Sequence, residues 1–198
     1  MEQEEKQLKE YYENASLGLK KMYIGRIGSL ICTVFSLIPG FDRLTVLPLF
    51  VFILFELLGV YQTGKDIRKC KAAFFITLVG VLLFWFFDGI SETNTEVGVV
   101  LSVADNILSI WTAYLICTSV ADVMRQMGEE AVAKKGYLIW KIRLVCYCII
   151  IVATVLTLIP GFQAAAVIVS SIITLLLSTI VNIVYVIFLH HSAKVLQA

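Results

Sequence analysis

Residues 20–56, KKMYIGRIGSLICTVFSLIPGFDRLTVLPLFVFILFE, decide how this chain is built. They read as a basic foot at Lys20-Lys21, an apolar helix, a turn at Pro39-Gly40, and a second apolar helix that carries Glu56. From Lys20 to Gly40 is twenty residues. At the helical rise of about 1.5 Å per residue that is about 30 Å, the thickness of a bilayer's hydrocarbon core. Proline cannot continue a hydrogen-bonded helix without strain, and the glycine after it can take the left-handed conformation that closes one. The stretch therefore predicts a transmembrane helical hairpin.

The unit recurs. Lys69 precedes Gly89, and Lys141 precedes Gly161, by the same twenty residues. Leu37-Ile38-Pro39, Phe86-Phe87-Asp88 and Leu158-Ile159-Pro160 stand ahead of the three glycines. A fixed period of this kind is the mark of repeated structural units. It predicts an all-α polytopic membrane protein with six transmembrane helices, arranged as three antiparallel hairpins with a pseudo-threefold repeat. The turns fall at Pro39-Gly40, Asp88-Gly89 and Pro160-Gly161; at the second, Asp-Gly replaces Pro-Gly as a common turn pair.

Composition points the same way. Of 198 residues, 59% are hydrophobic and 16% charged, against roughly 45–50% apolar and about 25% charged in a soluble domain. The mean hydropathy is +0.88. A net charge of +1 gives no concentrated basic face for phosphates, so nucleic acid is not an expected partner.

Six spans are placed at 22–38, 44–63, 70–88, 97–119, 139–159 and 164–189, which groups them as hairpins 22–63, 70–119 and 139–189 within a bundle over 22–198. Residues 1–21 form a charged amphipathic lead-in helix, with Leu8, Tyr12, Ala15 and Leu19 at helical spacing. Such a helix either lies at the membrane surface or leads, solvated, into the first span. The run 97–127 and the run 164–196 have no internal breaker, so the fourth and sixth helices extend past the bilayer. Residues 128–136 read as a short polar linker, in which Glu130 and Lys134 form an i,i+4 pair. Of the sixteen Lys and Arg, only Arg43 falls in the turns of one side, and fifteen fall on the other. By the positive-inside rule that sets both termini in the cytoplasm of a multi-pass plasma-membrane protein, in the manner of a bacterial inner membrane. Among the fifteen, Arg26 lies a turn inside its span, where its long side chain can reach back to the interface.

Two acids, Glu56 and Asp105, stand within the spans away from their ends. Charge in lipid is costly and is normally turned toward a bundle interior or cavity. Glu56 follows Pro39 by seventeen residues, and Asp105 follows Asp88 by seventeen, so equivalent hairpins would carry them to equivalent sites. Each heads a polar stripe at helical spacing: Glu56, Gly59 and Thr63; Ser102, Asp105, Ser109 and Thr112. The sixth helix offers Ser171, Thr174, Ser178, Asn182 and Tyr185. The candidate transport or ion site is Glu56, Asp105, Ser109, Ser178 and Asn182, with the two carboxylates holding a proton or a cation. The alternative is that the hydroxyls bond their own helix backbone and the acids are protonated or paired in a closed bundle.

The five cysteines include none in an outer turn, which excludes a disulfide framework. Cys146 and Cys148 point about 200° apart on a helix, and His190-His191 lacks further ligands, so no metal and no cofactor is expected. There is no phosphate-cradling loop, zincin motif or nucleophile elbow, and the chain is read as no enzyme. In its layout of glycines, outer-turn proline and basic feet, the first hairpin resembles the triplicated hairpins of HdeD-like bacterial acid-resistance membrane proteins. Its six-span form also resembles the substrate-binding subunits of energy-coupling-factor transporters, without their Ala-x-x-x-Ala motif in the first span. Neither resemblance brings a function with it. The residues themselves lead to a small transporter or permeation pathway for protons, cations or a small solute. The rival is a structural or regulatory subunit docking a partner through its helix extensions. Partners are then the lipid bilayer, together with a second copy or another membrane protein.

Overall fold

The computed structural model describes residues 7, 10–36, 38, 40–91, 95–159 and 163–197; within these, the side chains of 42, 84, 85, 88–91, 95 and 163–170 are outside the description. Pro39, Pro160 and Gly161, three of the six turn residues singled out above, lie outside the described residues. Among the described residues there are six long helices: α1 (Glu13–Ser36), α2 (Asp42–Asp66), α3 (Arg68–Ser91), α4 (Thr95–Gln126), α5 (Glu130–Leu156) and α6 (Gln163–Gln197). No strand occurs among the described residues.

Among the described residues four stretches are long and apolar enough to cross a membrane: Arg43–Asp66, Glu96–Gln126, Glu130–Leu156 and Ser171–Gln197. Much of their apolar surface faces outward. Leu47 is 75% exposed, and Phe86, on α3, is 76% exposed. Large contiguous apolar surface is rare on a soluble monomer and natural in lipid, so the helices suit a membrane-embedded protein.

Each helix packs on its neighbours in sequence, and α6 returns to pack on α1. The contacts run antiparallel. On α1 and α2, Gly18 lies against Thr63 and Gly25 against Glu56. On α3 and α4, Cys70 meets Ser119 and Thr77 meets Thr112. Tyr23 of α1 stacks on His190 of α6 at 4.6 Å.

Glycine sets the closest of these contacts. A Cβ at Gly25 would stand 2.7 Å from both the Glu56 N and the Phe52 O, and one at Gly18 would stand 2.6 Å from the Gly59 O. No side chain fits there, so backbone meets backbone, which is how helices associate where lipid removes the hydrophobic drive between them. Gly80 is different: a Cβ there would meet nothing nearer than Leu108 at 3.6 Å.

The buried core sits at one end, the end that carries most of the Lys and Arg. Leu19, Met22, Val60, Cys70, Val120 and Leu189 are part of one cluster. Around it, Lys21 donates to Gln62 at 2.6 Å, and Asp66 accepts from the Ala15 N–H at 2.7 Å and from Asn14 at 3.1 Å. Asp66 thus caps the first turn of α1 from another helix, satisfying amides that a helix start leaves open. Tyr12 donates to Gln126 at 3.1 Å; burial, with Tyr11 and Asp66 nearby, holds its phenol above the ordinary range.

Several expectations change here. The lead-in is not set apart from the first span: α1 is unbroken from Glu13 to Ser36, and Tyr12, Ala15 and Leu19 are buried in the bundle rather than laid on a surface. The linker of 128–136 shrinks to a turn. Gly128, at φ +82, closes α4; its N–H bonds the Arg125 O at 3.1 Å and the Glu129 N–H bonds the Met124 O at 2.9 Å, the paired bonds of a Schellman cap. Helix α5 then starts at Glu130, and Gly136 is inside it, against Ala121 and Phe188.

Gly40, at φ +89, takes the left-handed conformation foreseen for it. Asp88 and Gly89 do not turn. Helix α3 runs through both to Ser91, because Asp-Gly, unlike Pro-Gly, keeps its backbone donors and costs a helix only about 1 kcal/mol at the glycine. The longer α3 changes the register. A 49-residue shift, Lys20 to Lys69, would carry Gly25 onto Phe74 and Glu56 onto Asp105. Instead Asp105 lies against Gly80, six residues beyond Phe74. The two carboxylates are not at equivalent positions.

Gly25→Leu is expected to separate α1 from α2, lowering thermal stability in detergent by the ~1–3 kcal/mol typical of overpacking or more; Gly80→Ala should leave it within ~0.5 kcal/mol. Tryptophan-fluorescence melting of the two purified variants checks this.

Candidate functional site

Above the packed end the helices line a partly open cavity of about 760 Å³. Helices α2 and α3 touch at Gly64 and Lys71 and again at Tyr61 and Phe74. Beyond those contacts both line the cavity, α2 with Val46 to Ile53 and α3 with Ile76 to Val81. This wall is mostly apolar. The rest is not: Arg26, Glu56, Thr77, Asp105, Ser109, Thr112, Arg143 and Tyr185 also line it.

Arg26 is delivered by the glycine contact. With Gly25 pressed on the α2 backbone at Glu56, the next side chain on α1 meets that carboxylate: Arg26 Nη2 lies 2.7 Å from Glu56 Oε1. The side chains are 27% and 15% exposed. Arg26 does not reach back to the interface as expected. An opposite charge beside it in a low-dielectric site outweighs the distance to water.

Asp105 faces the same cavity, and no hydrogen bond or ion pair is formed by its carboxylate among the described residues. Gly80 leaves its approach open, with Oδ1 at 3.8 Å from where a Cβ would be. Ser109 and Thr112 follow it along α4 into the cavity, and Thr112 meets Thr77 at 3.4 Å.

Arg143, one of the fifteen basic residues counted on one side of the membrane, is 3% exposed. Its guanidinium lies over the Tyr185 ring at 4.5 Å and the Tyr147 ring at 5.5 Å. Nη2 donates to the Tyr147 hydroxyl at 3.2 Å, and Nε has no partner. Arg26 also approaches Tyr185, at 5.9 Å. The buried Tyr185 ring thus has both guanidiniums near it, and the attraction of a desolvated cation to an aromatic face is worth about 2 kcal/mol.

Of the five residues proposed from sequence, Glu56, Asp105 and Ser109 share the cavity and Ser178 and Asn182 do not line it. Ser178 donates to the Leu175 O of its own helix at 3.2 Å. Asn182 Oδ1 is buried without a partner. From the second-helix stripe only Glu56 faces inward; Gly59 and Thr63 pack on α1, at Gly18 and Met22. The two arginines were the residues missed. Their signal was available for Arg26, which stands fourteen residues before Gly40 while Glu56 stands sixteen after, so a hairpin closed at Gly40 brings them to one level.

No cluster of His, Cys, Asp and Glu able to hold a metal occurs among the described residues. Compared with family models, curated proteins and solved structures, the chain matches none.

Breaking the Arg26–Glu56 pair from either side leaves a charge without its partner, which costs up to about 3–5 kcal/mol for a fully buried pair and less where the cavity leaves the groups part-exposed. Glu56→Gln alone is expected to destabilise more than the double variant Arg26→Gln with Glu56→Gln. A double-mutant cycle on melting temperatures reads the coupling.

Proposed function

We propose that this chain is a small, non-enzymatic membrane transporter that takes a small solute into the cavity, with Asp105 as the site of a coupled proton or cation. The observation that carries this reading is a cavity of about 760 Å³ lined both by an apolar wall and by Arg26, Glu56, Asp105 and Arg143. Solute sites in proteins fall at roughly 300–1,000 Å³, mostly apolar with a few placed polar groups. A bare cation pathway fits less well, since two arginines share the lining with the acids. Asp105 is the free carboxylate and the better proton site; Glu56 is already paired.

The same reading keeps six spans, grouped as hairpins 22–63, 70–119 and 139–189, with both termini in the cytoplasm of a bacterial-type inner membrane. The slipped register of the second hairpin makes any threefold relation approximate. The rival role, a regulatory subunit docking a partner through its helix extensions, is weakened by where those extensions lie: Met124 of α4 and Leu189 and Leu196 of α6 are buried in the chain's own core.

Flux tests the proposal. In proteoliposomes with an entrapped pH dye and an imposed gradient, Asp105→Asn is expected to lower proton flux by about tenfold or more, at unchanged folded yield. Equal flux in wild type and Asp105→Asn, or none in either, contradicts it.

A further inference from the structure

Arg143 is a permanent cation, since a guanidinium does not deprotonate in a protein. It is 3% exposed, it lines the cavity, its Nε has no hydrogen-bond partner, and no carboxylate lies within ion-pair distance of it among the described residues. Its contacts are a hydroxyl and two aromatic faces. These hold the group in place but do not neutralise it. A buried charge is ordinarily paired, and Glu56, the paired acid of the cavity, is bound to Arg26.

We propose that Arg143 binds the acid group of a monoanionic amphiphile, whose apolar part lies along the α2 wall at Leu49, Phe50 and Ile53. The inference rests on the cavity as the solute site and names the solute's class. The planar fork of arginine suits a carboxylate or a phosphate ester. The apolar wall excludes small inorganic anions, which would lose hydration without compensation. Glu56 and Asp105 in the same cavity repel a second negative charge, which sets the limit at one. The Tyr185 ring holds the guanidinium at the cavity that both residues line.

The test uses the full-length protein in phosphatidylcholine nanodiscs with radiolabelled decanoate, and reads binding rather than flux. Saturable binding is expected, displaced by unlabelled decanoate and not by the neutral decanol. Arg143→Gln should weaken it by about tenfold or more, while Arg143→Lys, which keeps the charge, should retain part of it. Ile53→Trp fills the wall without touching the charge and should also block it, so the test stands if Arg143→Gln fails to fold. Phosphatidylglycerol in the nanodisc, a phosphodiester with a single negative charge, distinguishes the sources: displacement of decanoate assigns the site to a lipid headgroup, and no displacement assigns it to a free acid, each in keeping with the proposal. Absence of decanoate binding, or binding unchanged in Arg143→Gln or in Ile53→Trp, overturns it. Binding without any flux leaves the anion site standing and removes the transport reading instead.

Discussion

Charge in a low-dielectric interior must be paired, hydrated or neutralised, and this constraint governs the bundle. Arg26, Glu56, Asp105 and Arg143 all stand in helices whose outer faces are apolar. An isolated charge at the centre of a membrane helix costs about 2.5–3.5 kcal/mol on insertion scales. The chain meets that cost in different ways at different residues. Arg26 and Glu56 pair. Arg143 is sandwiched by tyrosines. Asp105 faces open space.

Each solution depends on backbone packing. The pair forms because Gly18, Gly25 and Gly59 let the backbones of α1 and α2 come together, while Gly28 makes room for the Phe52 ring. That contact also frees α2 to lean on α1 and part from α3 beyond Tyr61, where the cavity begins. The closed end is the counterweight: buried Leu19, Met22, Val120 and Met124, with Asp66 capping α1, hold all six helices where the charges along them are exposed to water. A packed end beneath an open cavity is an arrangement suited to binding.

Much of this was legible in the sequence. Helix number, the left-handed Gly40 and the inward turn of Glu56, Asp105 and Ser109 follow from twenty-residue apolar runs, from turn chemistry and from the cost of intramembrane acids. What failed was local. Asp88-Gly89 looked like Pro39-Gly40 and lacks the one property that stops a helix, a missing donor, so α3 ran on to Ser91 and the repeat slipped. Arg143 was counted with the fifteen basic residues of one side although it falls inside the span placed at 139–159; α5, which starts at Glu130, puts it near mid-helix. The polar stripes divide: Ser109, Thr112 and Tyr185 line the cavity, while the Ser178 hydroxyl bonds the Leu175 carbonyl of its own helix, the alternative given for such stripes. Spacing reports which face a residue is on, and not whether that face meets a cavity or its own backbone.

The proposed function requires that the charged lining border a cavity open to water. Thiol labelling tests it most directly: with the five native cysteines replaced, Ser109→Cys and Ser178→Cys are exposed in native membranes to a charged, membrane-impermeant methanethiosulfonate reagent. The account predicts that Ser109→Cys, on the cavity, is modified and Ser178→Cys, outside it, is not. Ser109→Cys as inert as Ser178→Cys would mean a dry core, and would contradict it.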